Sequence, residues 1–199
     1  MSESVIVLAA GKGTRMKSDL PKVLHKVLGK SILAHALDTL SFINKQYVVV
    51  GHESDMVVNS LPSSAKHILQ KDQLGTGHAV STVVNGDLFI ENKPEFTLVV
   101  PGDVPAIDAK DIQLLMSEVK TKSSSVGFLT SIVENPYGYG RVVRSNEEIR
   151  IVEEKDCNDD ERNINEINSG IYCFNTDFLI ENIDSLDTKN AQGEFYLTD

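Results

Sequence analysis

Residues 8–16 read Leu-Ala-Ala-Gly-Lys-Gly-Thr-Arg-Met, an apolar run that opens into two glycines and two cations. Gly11 and Gly13 let a backbone approach a ligand closely and allow positive φ. Successive backbone N–H groups in such a turn form a nest for an anion. Arg15 adds a planar fork for phosphate oxygens, and Lys22, stiffened by Pro21, a mobile point charge. Neither familiar phosphate loop is present. The Walker pattern Gly-x-x-x-x-Gly-Lys-Ser/Thr is absent, and the dinucleotide pattern Gly-x-Gly-x-x-Gly lacks its third glycine, with Met16 in that place. The alternative is a tight turn with surface cations.

Three further clusters could act with this one. In Val-Val-Pro-Gly-Asp-Val-Pro, residues 99–105, Asp103 follows an apolar run and Gly102. One such carboxylate together with substrate phosphates is a usual holder of magnesium, although an aspartate here also suits a turn. In residues 69–79, Gln70 ends an apolar run and Gly75-Thr76-Gly77 follows. A glutamine amide with glycine-freed backbone groups can read the edge of a base; the competing reading is a helix entry capped by Thr76. His78 reads as packed or exposed rather than catalytic. The last cluster is Tyr-Gly-Tyr-Gly-Arg, 137–141, with Glu153 and Ile-Asn-Ser-Gly, 167–170. Gly140 implies close approach, and Glu153 and Asn168 suit sugar hydroxyls and an amide. Taken alone, each fits a turn or the surface better.

The elements that must position these groups alternate. Residues 4–9, 47–51, 66–70, 96–103 and 125–133 read as strands, and 31–43, 54–61, 77–85 and 109–121 as helices. Residues 4–9 are β-branched and apolar throughout, as in a strand buried on both faces. This rhythm predicts an α/β fold, a Rossmann-like, mostly parallel sheet with helices on both faces. Ligands then sit at the carboxyl ends of the strands. After residue 134 the pattern predicts an antiparallel portion: a hairpin of 140–144 and 149–155, a polar stretch at 156–166, a strand at 169–175 and a helix at 176–183.

The chain's length suits a single domain, 1–199, with a sizeable core. Its net charge is −10, yet residues 1–30 sum to +4 and the rest to −14. A basic segment in an acidic chain points to a small anionic ligand and away from nucleic acid. Cys157 and Cys173 match neither a metal-site spacing nor a disulfide framework. The acidic opening does not read as a secretory signal, and no stretch approaches the roughly 20 apolar residues of a membrane span. A cytoplasmic setting is expected.

Residues 8–33, Leu-Gln-Lys-Asp-Gln-Leu-Gly-Thr-Gly-His-Ala, Gly-Asp-Val-Pro, Gly-Tyr-Gly-Arg, Glu-Ile-Asn-Ser-Gly and Gln-Gly-Glu-Phe-Tyr-Leu-Thr-Asp (192–199), taken together, resemble the N-terminal uridylyltransferase part of the bifunctional bacterial GlmU family of sugar-phosphate nucleotidyltransferases. The resemblance runs in order from residue 5 to the end. It implies a nucleotide-diphospho-sugar transferase fold and Mg²⁺-dependent transfer of UMP from UTP to N-acetylglucosamine 1-phosphate, for cell-envelope precursors. Leu8, Ala9, Ala10, Gly11 and Gly13 would line the nucleotide, and Arg15 and Lys22 would be catalytic on its phosphates. Gln70, Gly75 and Thr76 would recognise uracil, and Asp103 would bind Mg²⁺. Gly102, Gly140, Glu153 and Asn168 would hold the sugar, with Glu154 as substitute if the hairpin register differs by one. Pro101 stands where many members have an aromatic or another residue. In the family the domain continues past Tyr-Leu-Thr-Asp, supplies there an Asn that helps hold the metal, and precedes a β-helix acetyltransferase domain that forms a trimer. An incomplete domain and no trimer are therefore expected. A relative of different nucleotide or sugar specificity, or a sugar-nucleotide binding module without full activity, are the alternatives; a dinucleotide-dependent oxidoreductase is the weakest.

Overall fold

The computed structural model describes residues 2–11, 13, 16–145 and 148–199. β1 (Glu3–Ala9) leads into the glycine loop, and a 3-10 turn at Lys22–Leu24 follows Pro21. Next come β2 (Lys26–Val27), β3 (Lys30–Ser31), α1 (Ile32–Thr39), β4 (Lys45–Val50), α2 (Ser54–Val58), β5 (Lys66–Leu69), α3 (Thr76–Val84), α4 (Asp87–Ile90), β6 (Phe96–Pro101), α5 (Ala109–Thr121) and β7 (Val126–Ile132). The chain continues with β8 (Arg141–Arg144), β9 (Ile149–Val152), α6 (Asp159–Arg162), β10 (Glu166–Asn175) and α7 (Thr176–Ile183). The β2–β3 hairpin was not anticipated from the sequence. Its turn residues Leu28 and Gly29 both have positive φ, 49° and 86°, as a two-residue turn between twisted strands favours. α1 is shorter than the predicted 31–43, with Ser31 as its cap accepting from the Ala34 N–H.

The expected α/β architecture is present. β5, β4, β1 and β6 lie side by side and parallel. Alternate residues of these strands face two separate cores. Val5, Val7, Val48, Leu98 and Val100 meet Leu33 and Leu37 of α1 and Ile112 and Met116 of α5 on one side. Ile6, Tyr47, Val49 and Val99 meet Val80 and Val83 of α3 and Leu179 and Ile183 of α7 on the other. A strand apolar at every position is the signature of a sheet covered on both faces.

The antiparallel portion joins this sheet at an unexpected place. β10 inserts beside β6, antiparallel, and β7 pairs with the far edge of β10 rather than with β6. β7 occupies that far edge through both halves of β10, so β6 and β8 share the near edge. β6 pairs at Tyr172–Asn175, and β8 at Ile167. Between Asn168 and Tyr172 the pairing with β7 shifts, two residues more being used on β10 than on β7. Gly170, at φ 78°, is the pivot. A Cβ there would stand 3.0 Å from Pro101 Cγ. Replacing Gly170 with Ala is expected to lower stability by about 1–2 kcal/mol, from left-handed strain and this contact. A fall in the urea midpoint at constant m-value checks it; an unchanged midpoint would mean that the bulge relaxes freely.

Candidate functional site

The carboxyl ends of β1 and β6 and the bulge of β10 border a cleft of about 1200 Å³. From β1 and its loop come Leu8, Ala9, Ala10, Gly11 and Gly13. Gly13 turns at φ 58°, and a Cβ there would lie 2.7 Å from Lys22 Cβ, so its lack of a side chain lets the loop pass beside Lys22. Lys22 lines the same wall and ion-pairs with Asp103, Nζ to Oδ2 2.6 Å. The two side chains are 41% and 34% exposed, a setting in which an ion pair contributes at most about 1 kcal/mol and exchanges readily for a ligand. Arg15 lies outside the described residues.

Gln70 forms the next wall with Gly75 and Thr76. Its amide is almost fully buried, and Nε2 donates to the Gly75 carbonyl at 3.2 Å. Thr76 does not cap α3, as the competing sequence reading had it: the cap residue is Gly75, at φ 113° with no side-chain bond. Thr76 Oγ1 instead accepts from the Leu197 N–H. The glycines here serve a chain contact. Phe195 N–H donates to Leu74 O and Gly77 N–H to Phe195 O, both at 2.8 Å. A Cβ on Gly75 would meet the Phe195 carbonyl at 2.5 Å. Residues 194–198 thus form a strap across the cleft, with Glu194, Leu197 and Thr198 on its wall.

The strap ends on the third wall. Thr198 Oγ1 donates to Glu153 Oε1 at 3.2 Å. Both Glu153 and its neighbour Glu154 were candidates, and the hairpin register decides between them. Arg141 pairs with Val152, so Glu153 faces the cleft beside Gly140. Glu154 turns away to accept from Gly138 N–H and to pair with Arg141, Nη2 to Oε2 2.7 Å. Those two bonds hold its carboxyl below the usual range, the Gly138 N–H first and Arg141 next. Arg141 is buried and also donates to Tyr139 O, so this pair shapes the Gly-Tyr-Gly-Arg turn. Asn168 sits at the β10 bulge, where its Oδ1 accepts from Gly170 N–H and its Nδ2 donates to Tyr172 Oη. Gly102 lies behind the wall rather than on it. Its N–H donates to Leu8 O, and a Cβ would crowd that oxygen at 3.0 Å, so it spaces β6 from β1.

Beyond the predicted residues, Tyr139, Ser169, Tyr172, Leu197 and Thr198 also line the cleft. Sequence reasoning did not single them out because the turn before β8, the β10 bulge and the strap have no periodic signature. Among the described residues no group of three or more His, Cys, Asp or Glu side chains could hold a metal ion. Asp103 lines the cleft outside any such group, and one carboxylate of this kind suits a hard cation that is shared with a ligand's phosphates. No helix of the described residues is long and apolar enough to cross a membrane.

The model of the MobA-like NTP transferase domain matches residues 5–148. The chain is 47% identical to a bifunctional protein GlmU of Fervidobacterium nodosum, covering 98% of this chain and 42% of that one. It is 47% identical to that of Lactococcus lactis, covering 100% and 44%. The chain thus spans less than half the length of these relatives. Among solved structures, one assigned as a glucose-1-phosphate thymidylyltransferase from Bacillus anthracis, in complex with a sucrose, superposes with a TM-score of 0.77 at 21% identity, covering 97% of this chain and 78% of that one. A UDP-glucose pyrophosphorylase complexed with UDP-glucose gives 0.70 at 19%, covering 100% and 85%. Both share the fold.

Burial raises the Glu153 carboxyl above its ordinary range; the Thr198 bond opposes this, and Asp156 and Asp199 add to it. A carboxyl raised on folding favours the protonated form. Its stabilisation is complete below the unfolded value and is lost as pH rises through the folded one. Glu153→Gln, uncharged throughout, is therefore expected to be more stable than the wild type at neutral pH. The gap should close near pH about 4. Urea titrations at the two pH values check this, and a gap that widens in acid would reverse the assignment. By the match of its family model over most of its length, the chain belongs to the MobA-like NTP transferase family, whose members are nucleotidyltransferase enzymes.

Proposed function

We propose that this chain carries the uridylyl-transfer site of a sugar-1-phosphate uridylyltransferase, joining UTP and N-acetylglucosamine 1-phosphate to give UDP-N-acetylglucosamine and pyrophosphate. The observation that carries the reading is convergence. Groups suited to phosphate (Gly11, Gly13, Lys22), to a base (Gln70, Gly75) and to a sugar (Gly140, Glu153, Asn168) line one cleft. Its volume, about 1200 Å³, exceeds that of pockets for single small ligands. The likeness to GlmU proteins over the whole chain supports the same choice of substrates.

The chemistry needs little from side chains. A sugar-phosphate oxygen, already an anion, forms a bond to the α-phosphorus of UTP as the bond to the β-bridging oxygen breaks, and pyrophosphate departs in line. The protein's contribution is to align the two phosphates and to neutralise charge. Lys22 would leave Asp103 to follow the triphosphate, and Arg15 would act from the same loop. The backbone of Gly11 and Gly13 would cradle the phosphates. Asp103 would hold Mg²⁺, which when bound supplies charge neutralisation to phosphate oxygens. A cytoplasmic place in cell-envelope precursor synthesis follows from these substrates.

The test is magnesium-dependent pyrophosphate release, with UTP alone as control. Release that needs both substrates is expected, and release equally fast with dTTP or another sugar phosphate would move the reading to a different specificity. Binding of UDP-N-acetylglucosamine without release would make this chain a binding module only. Where release occurs, Lys22→Ala is expected to lower kcat on the order of 10²–10³-fold, with a much smaller change in the KM for UTP. Equal losses in both would reduce Lys22 to a ground-state contact.

A further inference from the structure

His78 stands behind Gln70, outside the cleft wall, on the first turns of α3. Gln70 Nε2 contacts two groups: the Gly75 carbonyl at 3.2 Å and His78 Nδ1 at 2.9 Å. A backbone carbonyl can only accept, so the amide nitrogen is the atom on that side. The same nitrogen then presents its second hydrogen to Nδ1, which must accept. An imidazole that accepts at Nδ1 is neutral and carries its proton on Nε2. Both amide hydrogens are used in this way. Among the described residues nothing donates to Oε1, which is left to the cleft that Gln70 lines.

We infer that His78, in its Nε2–H form, is a positioning residue that sets base selectivity by locking the Gln70 amide with its oxygen toward the ligand. This rests on the uridylyltransferase reading above. A locked acceptor matches the imide N3–H of uracil and meets a lone pair on N3 of cytosine. An amide free to rotate would present N–H groups about as readily, and would serve cytosine. The Gly75 carbonyl alone constrains one amide hydrogen; His78 constrains the second. The strap helps to hold the histidine in place, since the Phe195 ring lies against the imidazole with centroids 6.4 Å apart.

Calorimetric affinities for UTP and CTP, with the wild type, His78→Leu and His78→Asn, test the inference. The asparagine can place an acceptor near the position of Nδ1. His78→Leu is expected to weaken UTP binding by about tenfold and to narrow the UTP-over-CTP preference by a similar factor. His78→Asn should recover most of both, which a loss of packing would not allow. Independently of any ligand, ¹⁵N NMR of the wild type should show His78 protonated at Nε2 and bare at Nδ1. A proton on Nδ1 would overturn the inference, as would a UTP preference that survives in a folded His78→Leu. A wild type with the expected tautomer but no preference for UTP would instead overturn the uridine reading, and the selectivity role with it. Should His78→Leu fail to fold, the tautomer and the asparagine variant still decide.

Discussion

The cleft exists because β10 pairs with β6 only as far as Tyr172 and then leaves it. The departure needs a residue of positive φ opposite Pro101, and Gly170 supplies it. Beyond the pivot the near edge of β10 belongs to β8, whose turn brings Gly140, while the β8–β9 register brings Glu153, to the opening. Asn168 sits on the bulge itself and satisfies the Gly170 N–H that the shifted ladder frees. One interruption of one strand pair thus carries the wall of Gly140, Glu153 and Asn168, and the parallel half carries the walls of Gly11, Lys22 and Gln70. That division follows the general rule that a ligand sits where strand order changes.

The strap at residues 194–198 joins the two halves. It bonds through its backbone to Leu74 and Gly77, through Leu197 N–H to Thr76, and through Thr198 to Glu153. A glycine at 75 is needed because the strap's own backbone occupies the space that a side chain would take, and at 77 because the Leu186 side chain does, with the Phe195 carbonyl behind it. A sequence reader meeting Gly-Thr-Gly assigns the glycines to a ligand or to a helix entry. Here they admit another length of the same chain, and the loop so held presents the Gly75 carbonyl to the Gln70 amide. Burial raises the Glu153 carboxyl, and the strap works against that shift through the Thr198 bond.

What the sequence made legible was whatever depends on local pattern. The β-branched run at 4–9, the glycines after it, the carboxylate after Gly102 and the glutamine at a strand end all sit where spacing puts them, because each is tied to a parallel strand or its end, buried for β1 and β6 and at the exposed edge for β5. What depended on pairing was not legible. Residues 125–133 were read as one more strand in the alternating series, yet β7 is separated from β6 by β10, a partner about 40 residues later. Position 169 was read as the start of a strand that begins at Glu166, since the bulge breaks the period-two alternation. Glu153 and Glu154 were indistinguishable as neighbours. Only the match of Arg141 to Val152, and the buried guanidinium that claims Glu154, separates a cleft residue from one that shapes the turn.

Lys22 and Asp103 show why these walls suit a charged ligand better than an empty fold. Each belongs to a different half of the parallel sheet's rim, and each was read from the sequence as meeting a phosphate or a metal. In the structure they meet each other. A half-exposed pair of this kind adds little to stability, so the fold has small reason of its own to bring the two together. The pair does keep a cation and an anion close in a cleft that would otherwise hold either charge unbalanced. On the proposed reading, a ligand bearing phosphate would take the lysine, and a cation arriving with it would take the carboxylate. Each exchange would make the other more favourable, because the partner left behind would be an unpaired charge in a half-exposed wall. Binding of phosphate and of cation would thereby be coupled through these two side chains.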